Sequence, residues 1–435
     1  MNLLIKFPTR GRPDKFKYAL FQYVSKYRDK QRTKFLFTFD HDDPTANTDE
    51  FQDDYHEICG DIEYDAPYGY SKNKIDAVNR DMDDYPLNYK WDILLLASDD
   101  MIPCVKNYDE WIKNKMAIHY PDLDGVLWFN DGYAGDKLNT LVCVGRKYYD
   151  RFGFIYNPAY KSFFCDNEFM DEANRLGKQT YFSQCIIRHQ HPANTKDALD
   201  DDLYRQNNKH WKEDERTYLH RKVYDYDLSV LICSLTERAD ALATLLSKIE
   251  ECKKRSTLRV EVLTSIDNRE KTIGTKRQEL ITRAKGKYSC FIDDDDDIDE
   301  DYFKEIQEVL NATPQADCVS MMGMFYKNGR KIKPFHHSIR YNRYDEDFEG
   351  FYRFPNHLNP ILTGFCKRVG FVSKNHGEDT EFAKKLNDLR LITSEASVRK
   401  PLYFYYFTEG KPTQTPSQTR PARSSATQGS SLPHT

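Results

Sequence analysis

Two stretches of the chain open with the same alternation of apolar and polar positions. Leu3-Leu4-Ile5-Lys6-Phe7 is a short apolar run that ends in Pro8-Thr9-Arg10, and Leu228 to Leu235 is another that ends in Thr236-Glu237-Arg238. A helical stretch follows each (15–27 and 240–252), then a second apolar run closing on an acid (34–40 and 258–267). Strand, helix, strand in that order predicts the opening of a parallel α/β sheet. Each half continues with a polar helix and an apolar strand that runs into acidic residues. In the first half the strand 92–97 meets Ser98-Asp99-Asp100; in the second, 287–292 meets Asp293 through Asp297.

The parallel extends further. Leu138-Asn139-Thr140-Leu141 pairs with Leu358-Asn359-Pro360-Ile361, Phe152-Gly153-Phe154-Ile155 with Val369-Gly370-Phe371-Val372, and Asp166-Asn167-Glu168-Phe169 with Asp379-Thr380-Glu381-Phe382. Several matches in one order point to an internal duplication. Domains are expected over 1–222 and 227–407, separated by a charged segment, 200–227, with little apolar periodicity. Residues 408–435 are Pro, Thr, Ser, Gln and Arg with almost nothing to bury, and are expected to be disordered.

Composition narrows the class. With 435 residues there is room for two cores, and 39% hydrophobic with 31% charged residues describes a polar-surfaced protein. A formal charge of -5 argues against a surface built mainly to grip nucleic acid. The ten cysteines are scattered, several within apolar runs. No apolar run has the length of a membrane span and no signal-peptide core stands near Met1, so the expectation is a cytoplasmic protein, in the host cytoplasm if viral.

In an open parallel sheet, ligands bind beyond the carboxyl ends of strands. Five consecutive aspartates at such an end repel one another, and a hard divalent cation, Mn²⁺ or Mg²⁺, is the natural counter-charge; it would in turn bind a substrate diphosphate. The plainer alternative is a solvated acidic loop. The order of these pieces resembles family 2 glycosyltransferases of the GT-A fold. The resemblance implies two tandem GT-A-like domains, Rossmann-like with a mixed central sheet. It implies that Asp293 and Asp295 form the Asp-x-Asp element, with Asp295 on the metal. Thr236, Arg238 and Asp267 would flank the nucleotide. Lys276 and Arg277, in Gly274-Thr275-Lys276-Arg277-Gln278, would face the diphosphate. Asp379, in Gly377-Glu378-Asp379, would be the catalytic base, although a carboxylate there also suits a helix N-terminus. His336, His337 and His357 lie between these elements, where a scattered His is more often a core or surface residue.

In the first half the resemblance is weaker. Thr9, Asp40 and Asp99 take the nucleotide-side places, Asp100 the metal-ligand place and Asp166 the base place, while Cys165 stands where Glu378 does. His189 and His191, in Arg188-His189-Gln190-His191, follow at the distance of a metal-binding histidine, and two ordinary strand-end histidines are the alternative.

The expected activity is therefore metal-dependent transfer of a sugar from a nucleotide-diphosphate sugar to an acceptor hydroxyl, with inversion implied by the resemblance. The acceptor stays open among glycan, protein, lipid-linked precursor and modified nucleic acid. The competing readings are an inactive glycan- or protein-binding scaffold of the same fold, and a nucleotidyltransferase.

Overall fold

The computed structural model describes residues 1–82, 90–190 and 202–408. The chain forms two compact units, Met1–Lys222 and Val223–Thr435. Both are mixed α/β, Rossmann-like units.

In the first unit the sheet runs in the order Tyr64–Asp65, Thr33–Asp40, Leu3–Pro8, Ile93–Leu96, Cys143–Gly145, Val126–Phe129, Gln179–Phe182. The first four strands are parallel, Cys143–Gly145 is antiparallel to both its neighbours, and Gln179–Phe182 is parallel to Val126–Phe129. Every residue of Thr33–Asp40 is buried, as a strand covered on both faces requires. Side chains alternate between two cores. Leu3, Ile5, Phe7, Phe35, Phe37 and Phe39 pack on one face, and Leu4, Leu36, Leu94 and Leu96 on the other.

Lys6 falls on that second face, fully buried. Its ammonium donates to Thr38 Oγ1 and to the Arg80 carbonyl, 2.5 Å away, with Asp81 at 3.8 Å. Burial pulls its pKa down to about 7, against the attraction of Asp81.

The second unit repeats the plan. Its main sheet runs Val260–Asp267, Tyr226–Leu235, Gly286–Phe291, Ile361–Leu362, Cys318–Val319, Glu395–Ala396, with the same sequence of parallel and antiparallel neighbours as the first sheet has without its edge strand Tyr64–Asp65. Beyond the acidic strand, each unit also forms a small antiparallel pairing: Met101–Pro103 with Ile187–His189, and Asp297–Ile298 with Tyr403–Phe407. In the second unit this pairing extends into a six-stranded sheet through Met321–Lys327, Arg330–His337, Phe351–Arg353 and Asp345–Glu346.

The segment 200–227 is not a bare connector. It contains helices Asp202–Asn208 and Trp211–Arg221; the second packs Trp211 against the rings of Phe163 and Phe164, stacks Tyr218 on Phe164, and is anchored by one buried carboxylate. Asp214, fully buried, accepts from the backbone N–H groups of Lys161 (3.0 Å), Ser162 (2.8 Å) and Phe163 (2.8 Å). The few apolar positions of the helix are interrupted by this carboxylate, which explains its weak sequence signal. The expected disorder of the tail concerns 409–435, outside the described residues. Among the described residues, no helix is long and apolar enough to cross a membrane.

One glycine sets the spacing of the second unit. Gly274 lies in the first turn of helix Ile273–Arg283, where a Cβ would stand 1.8 Å from the Val372 carbonyl oxygen, and its N–H donates to the Lys374 carbonyl at 3.0 Å. This close approach brings Lys276 and Arg277 toward the segment that leads into helix Glu378–Asp388. Gly274→Ala should cost about 1–3 kcal/mol by overpacking against backbone. A denaturant melt of the full chain showing no loss of stability would contradict this placement.

Candidate active site

In the second unit the turn after Gly286–Phe291 separates its carboxylates by burial. Asp294 and Asp296 are buried, whereas the side chains of Asp293 and Asp295 keep 30% and 32% of their exposure. The buried pair is fixed by protein groups. Asp294 accepts from Ser234 Oγ and from Arg238 Nη1, both at 2.6 Å. Asp296 accepts from the Tyr403 phenol at 2.8 Å and the Tyr406 N–H at 2.9 Å. Burial pushes the Asp296 carboxyl well above the usual carboxylate range, and Asp293 adds to the effect.

The half-exposed pair faces cations. Arg277 Nη2 donates to Asp293 at 3.1 Å, and Arg238 Nη1 lies 3.3 Å from Asp295. Burial still raises the Asp293 carboxyl, because Arg277 does not fully offset it and Asp295, Asp294 and Asp379 add repulsion. Arg277 also reaches the next element, with Nε 3.3 Å from Glu378 Oε1, and its guanidinium stacks 5.0 Å from the Phe291 ring centroid. Glu378 is buried and its carboxyl is raised by that burial, with Arg277 opposing. One buried arginine thus ties the acidic turn to the start of helix Glu378–Asp388.

Asp379 is the second residue of that helix and is not its N-cap. The cap is Gly377 in the left-handed region (φ 77°), with no side-chain cap bond. The Asp379 carboxylate is half-buried and acts electrostatically on Arg277 and Asp293. At the end of the neighbouring strand Val260–Asp267, Lys276 Nζ donates to Asp267 (2.7 Å) and to the Ser234 carbonyl (2.9 Å). Burial works to raise Asp267, but Lys276 and the Lys271 N–H hold it below the usual range. Thr236 is exposed, its hydroxyl 3.4 Å from the Asp267 carbonyl. Gln278 accepts from the Phe371 N–H at 2.7 Å and is structural. His337 and His357 are buried, and burial keeps both imidazoles neutral, His337 near 3.

The first unit repeats part of this arrangement with different counter-charges. Asp99 is buried and pairs with Arg12 at 3.2 Å, as Asp294 pairs with Arg238. Burial and the Asp100 charge push Asp99 up to about 6. Asp40 is bound by Arg80 (2.7 Å), Arg10 (2.9 Å) and Ser71 (2.6 Å), as Asp267 is bound by Lys276. The Thr9 hydroxyl is buried without a hydrogen-bond partner. Helix Cys165–Arg175 again starts from a left-handed residue, Phe164 (φ 59°), with Asp166 at its second position. Burial raises the Asp166 carboxyl, with Lys74 and His189 acting against it.

The bridge is what differs. Helices Lys74–Asn79 and Ile273–Arg283 are both capped by a side chain, Asn73 and Thr272, and the fifth position after the cap is Val78 in one and Arg277 in the other. Ser98 stands in the place of Asp293. In compensation, His189 sits between two carboxylates, with Nε2 3.6 Å from Asp100 and Nδ1 3.7 Å from Asp131. Burial opposes its charge, but the two aspartates outweigh that and push it up to about 9. His191 lies outside the described residues.

Sequence reasoning missed Arg12, Arg80 and Lys74, ordinary cations in a charged chain. It also missed Tyr405. In the small pairing His189 stands opposite Met101, the residue after Asp100; in the second unit Phe404, the residue before Tyr405, stands opposite Asp297. Counting from the acidic turn along both partner strands was the only signal for it.

Among the described residues, no group of three or more His, Cys, Asp or Glu is arranged to hold a metal ion. The donor set nevertheless suits one type of cation. Two half-exposed, mutually repelling carboxylates at Asp293 and Asp295 fit Mg²⁺ or Mn²⁺ that takes its remaining oxygens from water and phosphate, not a closed protein cage.

No family model matches the chain, and no curated protein matches it significantly. Among solved structures, it is similar to residues 1–349 of S. aureus TarS in complex with UDP-GlcNAc, at 15% identity over 43% of this chain and 60% of that one, with a TM-score of 0.31. It is also similar to the mannosyltransferase PcManGT from Pyrobaculum calidifontis in complex with GDP-Man and Mn²⁺, at 10% identity over 51% of this chain and 62% of that one, with a TM-score of 0.37. The chain thus spans under two thirds of each.

The His189 cluster has a defined pH signature. Its folded pKa lies above the ordinary 6.5, so its contribution to stability is complete below about 6.5 and is lost as pH rises through about 9. In chelator, the melting-temperature gap between wild type and His189→Gln should be wide near pH 6 and shrink near pH 10. A gap independent of pH would show that the ion pairs do not form.

Proposed function

We propose that this chain is a metal-dependent glycosyltransferase that moves a sugar from a nucleotide-diphosphate sugar to an acceptor hydroxyl, with inversion, and that its two units are diverged copies of one transferase domain. The observation that carries the reading is Arg277. It joins Asp293, the first carboxylate of the acidic turn, to Glu378, the residue before Asp379, so that a leaving-group site and a base stand on either side of one buried cation.

In this reading Asp267 and Thr236 meet the nucleoside, with Lys276 holding Asp267 in place. Asp293 and Asp295 hold the divalent cation, and Arg277 and Arg238 keep those carboxylates from separating. The cation, when bound, neutralises negative charge on the departing nucleoside diphosphate. Asp379 accepts the proton of the acceptor hydroxyl. The fixed cations present their charge before the substrate arrives, so little reorganisation accompanies charge development.

The first unit is proposed as a second, altered site with Asp100, His189 and His191 toward the cation and Asp166 as base. Its retained Arg12–Asp99 and Arg80–Asp40 pairs preserve the turn and the nucleotide side. The missing bridge, with Val78 and Ser98 in the places of Arg277 and Asp293, predicts the weaker activity of the two.

Nucleoside diphosphate release from a panel of nucleotide sugars with Mn²⁺ tests the assignment. Asp295→Ala should abolish most release, and Asp379→Asn should lower it by about 100-fold or more, the scale of general-base loss. Asp100→Ala should remove only a minor share. Release that survives Asp295→Ala and disappears in Asp100→Ala would move the chemistry to the first unit. Wild type with no release from any donor, and no thermal shift with nucleotide and Mn²⁺, would favour the non-catalytic scaffold.

A further inference from the structure

An acceptor hydroxyl must come within hydrogen-bond reach of the base, so the surface around Asp379 is what the rest of the acceptor touches. Two aromatic side chains stand there with a large exposed share, Tyr405 at 40% and Tyr344 at 42%. They arrive from different elements: Tyr405 from strand Tyr403–Phe407, and Tyr344 from the residue before strand Asp345–Glu346. Strand Tyr403–Phe407 is tied to the acidic turn. The Tyr403 phenol donates to Asp296 at 2.8 Å and accepts from the Asp293 N–H at 3.1 Å, and the Tyr406 N–H donates to Asp296 at 2.9 Å. Tyr405 lies two residues along the strand from Tyr403, on the same face. The Asp379 carboxylate acts on the phenols of Tyr405 and Tyr344.

Both rings are held rigidly. Tyr405 stacks on Phe325, its parallel-strand partner, with centroids 5.5 Å apart and planes 23° from parallel. Tyr344 stacks on Phe354 at 5.1 Å and carries the Arg353 guanidinium 4.7 Å from its centroid. One side of each ring is therefore backed by another aromatic side chain, and both residues keep a large share of their surface exposed. Pre-set aromatic rings give contact area at low conformational-entropy cost.

Charge selects among ring-shaped partners. The strand-and-loop segment beside Tyr344 exposes Asp345, Glu346, Asp347 and Glu349. Among the described residues, Arg343, 3.3 Å from Asp345, and Lys333, 2.5 Å from Glu346, answer them in ion pairs. A polyphosphate chain approaching Asp379 meets this excess of carboxylates and is repelled. A pyranose is uncharged. Its C–H face meets the negative face of an aromatic ring, and its hydroxyls project at the rim where Asp379 lies.

We propose that Tyr405 is the platform on which a neutral sugar ring of the acceptor stacks, with Tyr344 at its edge, so that the second unit glycosylates a glycan. This rests on the reading of Asp379 as the base.

The test uses the full chain with Mn²⁺ and whichever donor releases nucleotide, and titrates neutral mono- and oligosaccharides against single-stranded oligonucleotides as acceptors. Saccharides should stimulate release and yield a glycosylated product. Tyr405→Ala should raise the acceptor KM about tenfold or more, worth about 1.4 kcal/mol, with a smaller change in kcat, and Tyr405→Phe should restore it. Melting curves of both variants establish that they are folded; if Tyr405→Ala is not, Tyr344→Ala takes its place. A folded Tyr405→Ala with the wild-type acceptor KM overturns the proposal. So does stimulation by oligonucleotides and by no saccharide. If wild type neither releases nucleotide from any donor nor shifts its melting with nucleotide and Mn²⁺, the transferase reading has failed, and the acceptor subsite with it.

Discussion

Each unit crowds carboxylates at the end of a central strand, and the rest of the arrangement follows from keeping them there. Like charges a few ångströms apart in a partly buried turn repel strongly unless cations lie among them. In the second unit Arg238 and Arg277 do this from opposite sides, one from the turn after the first strand and one from a helix. Both are themselves partly or fully removed from water, so the pairs are screened less than surface pairs. Removing one partner would leave an uncompensated buried charge, the costly case for an ion pair. The acidic turn is therefore stable only as part of a network that also fixes Asp267 and Glu378.

The first unit shows what the same fold does when part of that network changes. Without Asp293 and Arg277 at their places, it has one fewer repelling charge and one fewer compensating cation. It holds Asp100 instead through His189, which Asp131 grips from the other side. Asp131 is in turn fixed by the N–H groups of Tyr133 and Ala134 and the hydroxyl of Thr140. There the charged imidazole takes the electrostatic role of a cation. A divalent ion there would have to displace its proton, which makes any such binding dependent on pH.

Much of this was legible in the sequence, for a definite reason. Strands buried on both faces read as largely apolar runs, so Thr33–Asp40 and Tyr226–Leu235 stood out, and the acids that follow the strands pointed to the end of the sheet where the carboxylates gather. The repeated order of small motifs anticipated the shared strand order of the two sheets, which differ by the edge strand Tyr64–Asp65 of the first. The partners of the carboxylates were not legible. Arg12, Arg80 and Lys74 look like any other surface cation until the fold brings them to an aspartate, and Tyr405 reaches its place only through strand register. The helix Trp211–Arg221 was hidden for the opposite reason, since a buried aspartate, Asp214, interrupts the short apolar stripe of Trp211, Tyr218 and Leu219. Gly274 carried a readable motif whose cause, contact with the Val372 carbonyl, needed the structure.

The central claim is that fixed cations organise the carboxylates into a site that binds a diphosphate through a divalent metal. Calorimetric titration of a nucleoside diphosphate into the full chain, with Mn²⁺ and then with chelator, tests it most directly. The account predicts saturable binding in Mn²⁺ that disappears in chelator. Equal affinity in both conditions, or no heat in either across the common nucleotides, would contradict it.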